Sequence, residues 1–309
     1  MINLHVVITG GTGFVGRTLA RKLAAAGHRV TVLSRRAGGG APAPAGAEVA
    51  QWNPARPSPA LFAGKDAVVN LVGESIAIGR WTEARKQRIL DSRVVPTRSL
   101  VSALAAAGGE RPRVLVSASA VGYYGPRGDE DLDEDSPAGS DFLARVCVAW
   151  ETEAWAAEPL GVRVTLARLG MVLGRDGGLL GRMLPVFRLG LGGPLGNGRQ
   201  WLSWVHMDDV VSAIVLALEN ETVRGPLNIT SPHPVRNRDF ARILGRLLNR
   251  PAFIPVPSLA LRLGLGEMAD LLLTGQRALP RRLEGLGFKH RFPTLEAALS
   301  EVLGRNSAP

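Results

Sequence analysis

Cysteine is nearly missing: Cys147 is the single one in 309 residues. That excludes an internal disulfide and a cysteine-rich metal site, and makes a reducing cytoplasm the expected setting. Long apolar runs are missing as well. None approaches the roughly 18 residues of a membrane span, and the first one breaks into glycines too soon for a signal peptide. No membrane partner is therefore expected. Lysine is scarce: Lys22, Lys65, Lys86 and Lys289 leave 33 of the 37 basic residues as arginine (37 − 4). The net charge of +10 is thus carried by scattered arginines. They form no stripe and accompany no nucleic-acid motif, so nucleic acid is not the expected partner. Tyrosine is almost gone too, with Tyr123 and Tyr124 only. A hydrophobic share of 46% against 21% charged residues fits a globular protein with room for one large domain or two smaller ones.

The most informative segment is Leu4-His5-Val6-Val7-Ile8-Thr9-Gly10-Gly11-Thr12-Gly13-Phe14-Val15-Gly16. A short apolar run ends in glycines, and a helical pattern follows at once. The N–H groups at such a helix start have no internal partner, and the helix dipole adds positive charge. A diphosphate fits there. Gly10 can take the positive φ of the turn, Gly13 admits a phosphate to the backbone, and Gly16 lets helix and strand pack closely. Thr12, Phe14 and Val15 complete the expected cofactor-binding turn.

Strand and helix patterns then alternate. Strands are expected at residues 4–9, 29–33, 48–52, 66–72, 113–119 and 163–168, and helices at 13–26, 82–107 and 142–157. Residues 37–46 read as a Gly/Ala/Pro loop. The alternation predicts an α/β fold: a Rossmann-like, doubly wound parallel sheet with ligands beyond the carboxyl ends of its strands. After residue 170 the texture changes. A short strand is expected at 204–207, a helix at 208–219 with Asp208 or Asp209 placed to cap it, and a strand at 227–230. The expected nucleotide-binding domain spans 1–169 plus about 204–230. A smaller, mostly helical substrate domain spans about 170–203 plus 231–304, and 305–309 form a tail. The acidic run Asp129 to Asp135 reads as a solvated, self-repelling loop rather than a cation or substrate site.

The second strand ends in Ser34-Arg35-Arg36. An acidic side chain here would bind the adenine ribose hydroxyls of NAD. A hydroxyl and a forked guanidinium instead match a 2′-phosphate, so NADP(H) is expected in preference to NAD(H). Arg36 either assists or is a surface arginine. Arg168 closes the sixth strand, where its guanidinium is expected to face cofactor or substrate.

Together these residues resemble the extended short-chain dehydrogenase/reductase superfamily. Thr9-Gly10-Gly11-Thr12-Gly13-Phe14-Val15-Gly16 is similar to its TGxxGxxG signature. Asn70-Leu71-Val72-Gly73 resembles the segment that lines its cofactor after the fourth strand. Ser117 to Gly125 resembles its serine-bearing strand end, and Trp204 to Val210 a late strand-to-helix turn. Gly73-Glu74-Ser75-Ile76, Arg80-Trp81-Thr82, Ser92-Arg93, Gly198-Arg199-Gln200 and Gly275-Gln276-Arg277-Ala278-Leu279-Pro280 resemble a narrower branch. Its members are usually named epimerase family protein and carry a C-terminal domain of unknown function.

The superfamily's catalytic pair is a Tyr followed four residues later by a Lys. Anchored on Glu151, those positions hold Leu143 and Cys147 here, and neither supplies the chemistry. No other YxxxK occurs, since Arg127 and Gly128 follow the two tyrosines at that spacing. Ser119 matches the substrate-orienting serine, with Ser117 the alternative if Gly122 shifts the register. Tyr123 is either a replacement phenol or a packed aromatic. Ser119 and Tyr123 are therefore the catalytic candidates. Cys147 reads as a small buried residue rather than a nucleophile. Arg93 is expected on the cofactor's nicotinamide side. Glu74, Arg80, Trp81, Gln200, Trp204 and His206 are the substrate candidates, and the arginines around them suit a small anionic substrate. Two functions follow: an NADP(H)-dependent oxidoreductase or epimerase with an altered proton donor, or an NADPH-binding regulatory protein without catalysis.

Overall fold

A computed structural model describes residues 3–36, 44–175 and 177–305. Most of the expected 37–46 loop and all but one residue of the tail lie outside the described residues. The first half alternates as its apolar runs demand: β1 (His5–Thr9), α1 (Phe14–Ala25), β2 (Arg29–Ser34), β3 (Glu48–Gln51), β4 (Ala67–Asn70), α2 (Glu83–Ala106) and β5 (Val114–Ala120). After these come β6 (Asp131–Leu132), α3 (Phe142–Trp155), β7 (Arg163–Leu169), β8 (Met171–Leu173) and α4 (Gly178–Arg188). The remainder comprises β9 (Trp201–Leu202), β10 (Trp204–His206), α5 (Met207–Glu219), β11 (Gly225–Ile229), β12 (Val235–Arg236), α6 (Asn237–Leu248), α7 (Ser258–Leu265), α8 (Asp270–Leu273), β13 (Arg277–Ala278), α9 (Arg281–Gly285) and α10 (Leu295–Val302).

Seven strands form one parallel sheet in the order β11-β7-β5-β4-β1-β2-β3. Its central strands are buried on both faces, which is why β1 and β4 read as short apolar runs. Alternate residues of β1 serve opposite faces. Val6 and Ile8 pack with Leu19 and Leu23 of α1 and Val210 and Ile214 of α5. Val7 packs with Leu100 and Leu104 of α2 and Ala154 of α3. The strand order reverses between β1 and β4, which opens a groove at their carboxyl ends.

A second lobe of α4, α6 and α10 has its own core, including Leu180, Phe187, Phe240 and Leu299. No described helix is long and apolar enough to cross a membrane.

Two expectations need correcting. The acidic run is not a self-repelling loop. Asp129 binds Trp201 and Arg236, Asp131 pairs with Arg277, and Asp135 with Arg282. Glu134 is buried and accepts the N–H groups of Asn228 and Arg282. β6, within the run, pairs in parallel with β13. The run thus clasps the chain's C-terminal third. Helix α5 is capped by neither aspartate. The His206 Nδ1 accepts the Asp208 N–H at 3.1 Å, leaving Asp209 to accept the N–H groups of Arg291 and Phe292.

Candidate functional site

The glycine turn has the expected geometry. Gly10 has φ +68°, and a Cβ there would lie 2.6 Å from the Leu71 carbonyl oxygen. A Cβ on Gly16 would lie 2.3 Å from the Gly10 carbonyl oxygen. Gly13 is the N-cap of α1, with no side-chain cap and no acidic residue in the first turn. The N–H groups that open α1 therefore face the groove without an internal partner. Phe14 turns its ring away, onto Gly174, Gly177 and Gly178. At the end of β2, Ser34 is buried and its hydroxyl accepts the Arg36 N–H at 3.3 Å. Arg35 and Arg36 are exposed, and the sequence between β2 and β3 contains no Asp or Glu.

Several expected site residues are withdrawn into the interior. Asn70 is fully buried: it accepts from Thr9 at 2.7 Å and donates to Thr97 and Ser117. It braces β1, β4 and β5 to α2, so its side chain is not free to hold a cofactor. Arg168 forms a fork with Glu151 at 2.8 and 2.9 Å, and both residues are buried. It also donates to the Tyr124 hydroxyl at 3.0 Å. Burial alone would lower the guanidinium's pKa, but the hydrogen bonds and charge of Glu151 outweigh it and raise it. Arg168 is thus the cation of a buried pair rather than a groove-facing ligand. Ser119 donates to the same carboxylate at 2.6 Å and is 3% exposed. Ser117 is buried as well, and its hydroxyl accepts from Asn70. Tyr124 donates to Asn228, and burial pushes its phenol up to about 12.

The substrate candidates divide similarly. Trp204 has no exposure and bonds the His233 carbonyl; it is core. His206 is buried between the α5 cap and Glu301, which its Nε2 meets at 3.0 Å. Gln200 donates to the carbonyls of Leu195 and Leu272, while its Oε1 is buried with no partner. Trp81 is buried, bonds the Ile76 carbonyl and meets Phe142 edge-on. Arg80 reaches from the loop after β4 to the carbonyls of Leu263 and Gly264. Glu74 is exposed and pairs with Arg85.

Two groups remain near the strand ends. Arg93 donates to the carbonyls of Ile89 and Glu74 and stands 3.2 Å from where a Cβ on Gly73 would sit. It makes no ion pair among the described residues, and burial lowers its pKa. Tyr123 follows β5, half-buried, with its ring against the Arg168 guanidinium at 3.5 Å. Its hydroxyl makes no hydrogen bond among the described residues. At the two positions where the resemblance expects a Tyr and a Lys, Leu143 packs against the apolar cluster of Trp81, Ile89, Val146 and Met268. Cys147 is buried, and burial pushes its thiol up to about 12. The sequence reading missed Glu151 and Tyr124 as network members. A carboxylate beside Trp150 and an arginine inside Leu166-Ala167-Arg168-Leu169 were the available signal.

Family comparison now decides the lineage. Residues 6–230 match the NAD dependent epimerase/dehydratase family, and residues 256–302 match a domain of unknown function, DUF1731. The chain belongs to this epimerase/dehydratase family. It is 45% identical over 308 residues to the epimerase family protein Mb2239 of Mycobacterium bovis, covering 99% of each chain. A crystal structure of the human epimerase family protein SDR39U1 with NADPH is similar at TM-score 0.88 and 38% identity, covering 97% of this chain and 99% of that one. The fold alone is shared with MoeE5 in complex with UDP-glucose and NAD, at TM-score 0.79, 22% identity and coverage of 98% and 100%. The resemblance read from the glycine turn and the 70–93 motifs thus names the right family.

Proposed function

We propose that this chain binds NADP(H) across the groove between β1 and β4 and acts as an oxidoreductase or epimerase on a small anionic substrate in a reducing compartment. The observation that carries the reading is the α1 N-terminus: a glycine cradle with no cap and no acid, followed beyond β2 by Arg35 instead of a carboxylate. A diphosphate would neutralise the helix end, held by the backbone from Thr12 to Gly16. Ser34 and Arg35, with Arg36 beside them, would take the 2′-phosphate. The backbone of Leu71, Val72 and Gly73 would line the nucleotide, with Arg93 on its nicotinamide side. The NADPH named for the human relative supports the same cofactor. When bound, the cofactor supplies or accepts a hydride.

The chain's own part is proton transfer and charge. Tyr123 is the one phenol left without a hydrogen-bond partner at the strand ends, and Arg93 is a cation without a carboxylate partner among the described residues. A second reading, cofactor binding without turnover, is favoured by Leu143 and Cys147 in the catalytic positions and by Ser119 locked on Glu151.

Calorimetry with NADPH and NADH tests the cofactor. NADPH should bind more tightly, and Arg35→Asp should erase a preference of about 1.5–3 kcal/mol, the worth of hydrogen bonds to a charged group. Equal affinities in the wild-type protein overturn the 2′-phosphate assignment. Oxidation of NADPH with a panel of small carbonyl acids, lost in Tyr123→Phe, supports turnover. No oxidation with any of them favours the second reading.

A further inference from the structure

Apolar surface is concentrated in one place. The six most exposed large apolar side chains among the described residues are Leu189, Leu191, Phe253, Ile254, Leu259 and Leu263, at 56–75% exposure. They come from two stretches far apart in sequence that the fold sets side by side. The Val256 N–H donates to the Pro194 carbonyl and the Gly196 N–H to the Val256 carbonyl, at 2.8 and 2.9 Å. Arg250 reaches the Arg188 carbonyl at 2.9 Å. Helix α7, which carries Leu259 and Leu263 one turn apart, begins two residues after Val256 and buries none of its residues.

The two stretches that carry these side chains are one-sided in charge. Residues 177–207 and 240–266 contain no Asp and no Glu but seven arginines. Arg182, Arg188 and Arg250 are exposed and make no ion pair among the described residues. Protruding Leu and Phe side chains accompanied by arginines without ion pairs match the chemistry of an anionic lipid surface. The apolar tips enter the acyl boundary and the guanidiniums meet the phosphates. The arginines also disfavour a second copy of this net +10 chain on the same face.

We infer that this lobe docks the protein on anionic membrane surfaces, lying on the bilayer rather than spanning it. The sequence alone gave no sign of this, because neither stretch approaches the uninterrupted apolar length of a membrane span. The lobe is tied to the loop after β4 by Arg80, bound to the Leu263 and Gly264 carbonyls, and by Arg182, bound to the Ala77 carbonyl.

The test is co-sedimentation of the full chain with vesicles. Equal parts phosphatidylcholine and phosphatidylglycerol should bind it, phosphatidylcholine alone should not, and high salt should release it. Leu191→Ser with Phe253→Ser should weaken binding at least about tenfold, from the lost apolar burial. Arg188→Gln and Arg250→Gln should each weaken it about fivefold. An unchanged thermal midpoint in each variant shows that folding is intact. No binding to the anionic vesicles, equal binding to both kinds, or binding that the variants leave intact overturns the inference. So does a dimer seen by sedimentation that Phe253→Ser dissociates in the absence of lipid binding, which would make a second copy the occupant.

Discussion

Glu151→Gln is the substitution with the most to say, because it decides what Arg168 is for. Both partners are almost fully buried, and the fork is closed by Ser119 and Tyr124. Removing the carboxylate's charge leaves a buried guanidinium uncompensated, which costs about 3–5 kcal/mol. Glutamine keeps one acceptor, so the low end, about 3 kcal/mol, applies. An unfolding entropy of about 2.1 cal/mol/K per residue over 309 residues gives roughly 0.65 kcal/mol/K. The thermal midpoint should therefore drop by about 5 °C. Replacing the pair by Glu151→Gln with Arg168→Met should recover most of that loss, since it removes the stranded charge. Differential scanning calorimetry measures both, and NADPH affinity is followed in parallel. The structural reading requires a large drop in midpoint with affinity nearly retained. A midpoint within about 1 °C of wild type together with a sharp loss of NADPH affinity would refute it. That result would return Arg168 to the groove.

Burial that lifts the Cys147 thiol to about 12 should make it inert to iodoacetamide at neutral pH until the protein is unfolded; Cys147→Ser should keep NADPH affinity within about twofold, well under 1 kcal/mol. Asp208 carries a pH signature. Burial pushes its carboxyl up, but the hydrogen bond and charge of Lys22, with His206 and Arg291, hold it below the ordinary 3.8. A depressed carboxylate stabilises the fold above its unfolded value, and that contribution is lost as pH falls through the folded one. Asp208→Asn should thus cost up to about 1 kcal/mol at neutral pH and nothing once both states are protonated. Urea titrations across the acid range check it, and a deficit that persists at low pH would refute the assignment.

The sheet was legible because its signals are local. Buried parallel strands are apolar runs, and each helix of the first half begins and ends within a few residues of its expected place. The glycine turn was legible for the same reason, since its three glycines serve contacts only a few residues away or on the adjoining strand. The clasp was not, because Asp131 and Asp135 find Arg277 and Arg282 almost 150 residues later. Nothing near Asp129 to Asp135 announces those partners. The site was half legible. Leu143 and Cys147 stand where the resemblance expects a Tyr and a Lys, which is readable from the sequence alone. Yet Asn70, Ser119 and Arg168 all stand at strand ends, where sequence position alone does not say whether a side chain meets the groove or a neighbour. Three-dimensional pairing with Thr97, Glu151 and Tyr124 turns them inward.

The C-terminal domain match at 256–302 suggests a unit that could be moved or removed whole, and the clasp forbids it. β13 has its strand partner in β6. Leu283 of α9 is counted in the core beneath the main sheet, and the N–H groups of Arg291 and Phe292 end on Asp209. A chain cut near residue 255 would release neither a free-standing Rossmann domain nor a free-standing cap. It would leave Glu134 a buried acid with fewer donors and open a gap under β11. In exchange experiments between relatives, this segment must therefore travel with its own 129–135 loop.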